Sequence, residues 1–345
     1  MVAPWLARTY PDLRHAAAIL GYGSELLGFD DEMSQDHNWG PRVWLYVSEA
    51  DLERRGAGIV EAFAREAPDM FLGVPIAFFN RPHLPQNSDG RRADAGHGLE
   101  VWTLARALFG ALAITPDDPL DGLTWLGFSE QKLLTMTAGE VFRDDAGELT
   151  ALRARLAWPP RDVWLYKLAC QWRRIAEEQP FIGRAGMAGD DLGSRVIAAR
   201  LVRDLMRLAF LIERCYAPYP KWFGKAFSRL PAAGVLGVAL MDALTAADWR
   251  DRELALANAS AAAAEVALAR GVPGSIRPMI GPFFGRPFTV VNAEEMSAAY
   301  RAEIVDPVLA DLPLIGSLDQ ITDSTPVIEA PERALAAMRS LLQPE

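Results

Sequence analysis

Residues 21–47 read GYGSELLGFDDEMSQDHNWGPRVWLYV: a Gly-Ser turn, a short polar loop, the tripeptide Asp36-His37-Asn38 and an apolar run from Val43 to Val47. Gly21 and Gly23 bracket Tyr22 after the apolar stretch Ala16 to Leu20. Glycine lets the backbone approach a ligand closely and take positive φ. Ser24 then opens Glu25 to Phe29, a segment expected to make one or two helical turns with Ser24 as N-cap. Free N–H groups at such a start, with a serine hydroxyl, suit a phosphate, although an ordinary turn carries the same Gly-x-Gly-Ser.

Positions 25 to 35 separate Ser24 from Asp36, and the tripeptide leads through Gly40 and Pro41 into the β-rich run. If residues 36–38 begin that strand, period-two alternation turns Asp36 and Asn38 to one face and His37 to the other. Magnesium takes oxygen ligands and binds through one or two carboxylates plus substrate phosphates, so the spacing has a chemical purpose. The competing reading is an Asx-type turn ahead of a strand.

Over residues 1 to 105 the chain resembles the nucleotidyltransferase superfamily, with its polymerase-beta-like fold, whose signature is Gly-Ser, a gap of about a dozen residues and Asp-x-Asp entering a strand. The stretches SQDHNWGPRV, FIGRAGMAGDDLGSR and YAPYPKWFGKAF also make nearly the whole chain look like a bacterial family of unknown function built on that fold, with a helical C-terminal half. The resemblance implies that Gly23 and Ser24 grip a triphosphate and that Asp36 binds metal. Asn38 stands where the superfamily has a second carboxylate, which leaves the implied site one negative charge short. Glu100, in Gly98-Leu99-Glu100-Val101-Trp102, matches the third carboxylate; the outward residue of an edge strand would look the same. The implied cofactor is magnesium, or manganese, with a nucleoside triphosphate as substrate.

The 345 residues allow two domains with separate cores. Half of them are hydrophobic and 23% are charged, the composition of a folded protein. No run suits a membrane helix or signal peptide, so no membrane association and a cytoplasmic location are expected. Cys170 and Cys215 stand alone and read as buried small hydrophobes; the histidines at 15, 37, 83 and 97 lack zinc spacing. The net charge of −10 argues against general nucleic-acid binding. It is unevenly spread: residues 151–230 hold 15 Lys plus Arg against 7 Asp plus Glu, whereas residues 1–150 hold 12 against 23.

The expected fold class is α+β, a small mixed-sheet nucleotidyltransferase-like domain over 1–118 followed by a larger all-helical bundle over 119–345. In the first, Pro11 to Leu20 reads as a short helix passing into a strand, Ala50 to Glu66 as a helix, Val74 to Asn80 as a strand, 81–98 as a loop, and Leu99 to Thr103 as a strand before a helix through Leu108. Strand signals nearly vanish after residue 122. Trp164, Leu168, Trp172 and Ile175 form an apolar helical stripe, as do Ile197, Leu201, Leu205, Leu208 and Ile212; further helices are expected over 232–244, 246–270, 293–306 and 330–342, with 271–287 a crossing loop.

Arg200, Arg203, Arg207 and Arg214 share a helix face. A solvated surface explains them, and so does a phosphate-facing wall across a cleft between the two domains. In Tyr216 to Trp222, Lys221 is a candidate for a phosphate and the aromatics for a base, or the segment is a proline-braced packing corner. Arg184 is a second candidate for the cleft, Asp190 or Asp191 for a helix cap, and Trp39 either walls the nucleotide pocket or anchors the strand. Together these features imply transfer of a nucleoside monophosphate from a nucleoside triphosphate, ATP first, to a small-molecule acceptor. A catalytically silent relative that binds nucleotide or a partner protein is the alternative that Asn38 favours, and a protein-modifying antitoxin-like enzyme is a third.

Overall fold

The computed structural model describes residues 1–21, 23–35, 40–76 and 97–343, with nothing stated of the side chains at 34 and 35. Asp36, Asn38 and Trp39 therefore lie outside the described residues, as do the end of the expected Val74 to Asn80 strand and nearly all of the expected loop 81–98. In chain order the elements begin α1 (Val2–Thr9), β1 (Ala16–Ile19), β2 (Arg42–Tyr46), α2 (Glu49–Glu66), β3 (Met70–Phe71), β4 (Val74–Pro75), β5 (Gly98–Trp102), α3 (Leu104–Leu112), α4 (Gly122–Gly127), α5 (Glu130–Thr137), β6 (Glu140–Asp144) and α6 (Glu148–Leu156). They continue with α7 (Arg161–Glu178), α8 (Phe181–Met187), α9 (Asp191–Ile212), α10 (Pro220–Phe227), α11 (Ala233–Thr245), α12 (Trp249–Ala269), β7 (Ile280–Pro282), β8 (Thr289–Val291), α13 (Ala293–Ala302), α14 (Pro307–Asp311), α15 (Leu318–Ile321), α16 (Thr325–Ile328) and α17 (Pro331–Leu342). The protein is mixed α+β. It divides into one unit of Met1–Pro119 with Lys132–Ala157 and another of Leu120–Gln131 with Trp158–Glu345.

The first unit is built on a four-stranded sheet of order β5-β2-β1-β6. β1 runs antiparallel to β2 with Ala18 opposite Trp44, and β2 runs parallel to β5 with Trp44 opposite Glu100. A parallel pair needs a crossover, and α2 lies in this one, started by the Ser48 hydroxyl accepting from the Asp51 N–H at 3.1 Å. One sheet face buries Ala17, Leu45, Val47 and Leu99 against Trp5 and Leu6 of α1 and Ile59, Ala62 and Phe63 of α2. Each large side chain so buried contributes about 1.5–3 kcal/mol. The other face carries Ala16, Ala18, Tyr46, Trp44 and Trp102 with Leu149 of α6.

In the second unit the stripe on α7 is core, with Trp164 and Trp172 at 2% and 0% exposure. The Trp164 indole N–H donates to the Leu211 carbonyl of α9 at 2.7 Å. The Gly-rich connector before α9 acts as a joint. Asp190 caps the helix by accepting from the Gly193 N–H at 2.7 Å, while Ser194 and Asp191 receive the fully buried Arg252 of α12 at 2.6 and 3.0 Å.

Several expectations change. The first helix precedes Pro11 because Trp5 and Leu6 supply its buried face, and Pro11 opens a turn rather than a helix. β6 is a strand of the main sheet, so 132–157 belongs with the first unit, where the expected helical domain ran unbroken from 119. β4 is only two residues long and pairs with β3. The expected crossing loop contains β7, which pairs with β8 as a hairpin. Cys170 is buried but Cys215 is exposed, because the chain turns out of α9 there, with Arg214 at positive φ. Among the described residues no helix is long and apolar enough to cross a membrane.

Candidate functional site

Strand directions decide what comes together. β1 ends where the antiparallel β2 begins, and β5 begins beside β2, so the Gly-Ser turn, Arg42 and Gly98 all lie at one end of the sheet. Close packing fixes the turn there. An added Cβ at Gly21 would collide with the Trp44 ring, and the Gly21 N–H donates to the Thr135 carbonyl at 2.9 Å. Gly23 has φ +135, a backbone conformation side chains resist, and an added Cβ would strike Glu25 and Arg42.

Ser24 does not cap a helix. Residues 24–27 form one 3-10 turn with Gly23 in the cap position and no side-chain cap. The Ser24 hydroxyl donates instead to Asp30 Oδ1 at 2.9 Å, and the Arg42 guanidinium pairs with the Glu25 carboxylate. Arg42 stands directly before the apolar run that begins at Val43, and nothing in the sequence sets it apart.

Glu100 is exposed on β5, the edge strand, on the same face as Trp44 and Ala18. Its Oε2 accepts from the Trp102 indole N–H at 3.0 Å. The Trp44 and Trp102 rings lie 5.7 Å apart beside it. Burial first, and then the Glu100 carboxylate, push the Tyr46 phenol well above its ordinary range. His97 anchors the start of β5: its Nδ1 accepts from the Leu99 N–H and its Nε2 donates to the Val60 carbonyl, both at 3.1 Å, and burial lowers its pKa.

A hard oxygen donor such as Glu100 fits magnesium. Among the described residues no group of three His, Cys, Asp or Glu is placed to hold a metal ion; Asp36 and Asn38 lie outside those residues.

Lys221 and Arg184 belong to the second unit, on α10 and α8, and both are exposed. The Lys221 ammonium sits 4.9 Å from the Trp222 ring. Tyr216 and Trp222 are buried at 8% and 7%, and the Ala217 and Tyr219 N–H groups donate to Glu130 and Gln131, both at 2.9 Å. The segment is a packing corner rather than an open stacking platform. The arginine face is likewise engaged inside its own unit: Arg200 with Glu178 at 3.0 Å, Arg203 with Asp323 at 2.8 Å, and Arg214 4.0 Å over the Trp164 ring. Arg207 is buried.

Arg207 leads to a cluster with no counterpart in the sequence reading. Glu130 pairs with Lys167 and lies 4.0 Å from Arg207, while Asp319 Oδ2 accepts from the Glu130 N–H at 2.8 Å. All four side chains are buried. Burial opposes ionisation of Glu130, but Lys167 and Arg207 outweigh it and hold the carboxyl below its ordinary range. Burial, then Glu130, push Asp319 up to about 6. Because that folded value lies above the ordinary 3.8, the stability its proton contributes is complete below 3.8 and lost as pH rises through about 6.

Residues 125–223 match the model of a domain of unknown function (DUF4037). Comparison with curated proteins and with solved structures gave no match. The matched segment holds Glu130, Lys167, Arg207, Arg184 and Lys221, and leaves out the Gly-Ser turn and Glu100.

Proposed function

We propose that the protein is a nucleotidyltransferase, transferring a nucleoside monophosphate from a nucleoside triphosphate, ATP first, to a small-molecule acceptor. The observation that supports this reading is the meeting of the Gly23-Ser24 turn, the start of β2 and the Glu100 strand at one end of a mixed sheet. Gly23 and Ser24 hold the β and γ phosphates through backbone N–H groups and the serine hydroxyl. Asp36, Asn38 and Glu100 are the residues that would hold magnesium, which supplies positive charge against the triphosphate. The acceptor's oxygen or nitrogen attacks the α phosphorus and the bond to the β phosphate breaks, so pyrophosphate leaves. In this scheme the acceptor's proton passes to a carboxylate such as Glu100. Such transfer rests on positioning and charge neutralisation more than on covalent help.

A second reading, a silent nucleotide binder acting as a regulator, is favoured by the amide at position 38. Restoring the charge separates the two. In Asn38→Asp, magnesium affinity measured with bound nucleotide is expected to rise about ten-fold, a gain of one close charge contact, and pyrophosphate release is expected to be detectable in the wild type with an acceptor pool and lost in Glu100→Gln. Nucleotide binding with no release in either the wild type or Asn38→Asp leaves the regulator.

A further inference from the structure

The ion pair over the Gly-Ser turn has a use that the proposed transfer does not yet give it. Arg42 opens β2, and its main chain is fixed by β5: it is opposite Gly98, and a Cβ there would collide with the Arg42 backbone. From this rigid base the side chain, 11% exposed, reaches back across Gly23 to Glu25. Glu25, at 24% exposure, is the more solvent-facing partner. The turn thus carries two carboxylates, Glu25 and Asp30, and takes the Ser24 hydroxyl with the second. Unrelieved, that arrangement repels a polyanion. Carboxylate and phosphate present similar oxygens to a guanidinium, whose planar fork bonds either one in bidentate fashion.

We infer that Arg42 binds terminal phosphate oxygens of the triphosphate on the Gly23-Ser24 turn, and that Glu25 occupies the guanidinium as a stand-in carboxylate until nucleotide displaces it. This rests on the nucleotidyltransferase reading. Binding exchanges the Glu25 contact of Arg42 for a charge-assisted contact with phosphate: Glu25 swings to solvent, and the Arg42 backbone stays in place. Glu25 therefore competes with substrate and sets a threshold on affinity. A nucleoside monophosphate, lacking the terminal phosphates, gains little from Arg42.

The test is calorimetric titration of the full-length wild type, Arg42→Gln, Arg42→Lys and Glu25→Gln with magnesium-ATP, with AMP, and with magnesium tripolyphosphate. Loss of a charge-assisted contact is expected to weaken magnesium-ATP binding about ten-fold or more in Arg42→Gln. Arg42→Lys is expected to fall between, AMP affinity to stay near that of the wild type, and Glu25→Gln to bind magnesium-ATP and tripolyphosphate several-fold more tightly. If Arg42→Gln fails to fold, the Glu25→Gln tightening decides. Magnesium-ATP affinity within two-fold of the wild type in a folded Arg42→Gln or in Glu25→Gln overturns the role of this pair and leaves the wider reading standing; no triphosphate binding by the wild type overturns both.

Discussion

Lys167→Met is expected to destabilise the protein by about 3–5 kcal/mol, the usual cost of removing one partner of a buried ion pair. Lys167 and Glu130 pair with side chains 6% and 2% exposed. Taking away the ammonium leaves the Glu130 carboxylate in the core with Arg207 at 4.0 Å and the Ala217 N–H at 2.9 Å. The penalty is the lost ammonium–carboxylate pair, with Arg207 left as the cation beside Glu130, and not the volume, since methionine fills much the same space. Lys167→Met with Glu130→Gln is therefore expected to recover a large part of the loss, and urea unfolding followed by tryptophan fluorescence measures both. The effect also reads out the architecture: Glu130 joins the start of α5 to α7, to α9 through Arg207, and to the 216–219 corner. A cost below about 1 kcal/mol, the range of an exposed pair, would show that these groups are not buried together.

Arg153→Met is expected to cost about 2–3 kcal/mol, the loss of hydrogen bonds from a charged donor. One guanidinium nitrogen donates to the carbonyls of Thr137, Ala138 and Gly139 at 2.5, 3.4 and 3.1 Å. Thr137 ends α5, whose C-terminal dipole favours a cation, and Ala138 and Gly139 lead on to β6. Arg153 thereby ties α6 to the chain that enters β6. Hydrogen exchange should show the amides of β6 opening first in the variant, and unchanged β6 protection would contradict its place on the edge of the sheet.

These residues show where the sequence was readable. The stripes on α7 and α9 could be seen because the apolar residues of a packed helix recur at 3.6, although burial reaches beyond the stripes, taking in every residue from Val163 to Trp172 of α7. The turn at Gly21 and Gly23 could be seen because glycines punctuate the end of an apolar strand, but the same Gly-x-Gly-Ser fits an ordinary turn, and the helix cap expected at Ser24 does not form. β6 could not. Its side chains are mostly exposed, so Glu140 to Asp144 shows no alternation, and its pairing with β1 is made by main chain with a register shift between Ala17 and Ala18. The charge cluster escaped for another reason. Sequence patterns assign charges to water, and Arg207 sits on what looked like a solvated face; the carboxylates that make its burial tolerable, Glu130 and Asp319, come from remote parts of the chain. Arg42 was hidden in the same way, since its partner Glu25 is 17 residues away in sequence.

The most direct test of the central claim is calorimetric titration of the wild type and Asp36→Ala with the four common nucleoside triphosphates, each with and without magnesium. The account predicts magnesium-dependent binding of at least one triphosphate, lost in Asp36→Ala. Binding of none by the wild type, or binding that Asp36→Ala leaves unchanged, would contradict it.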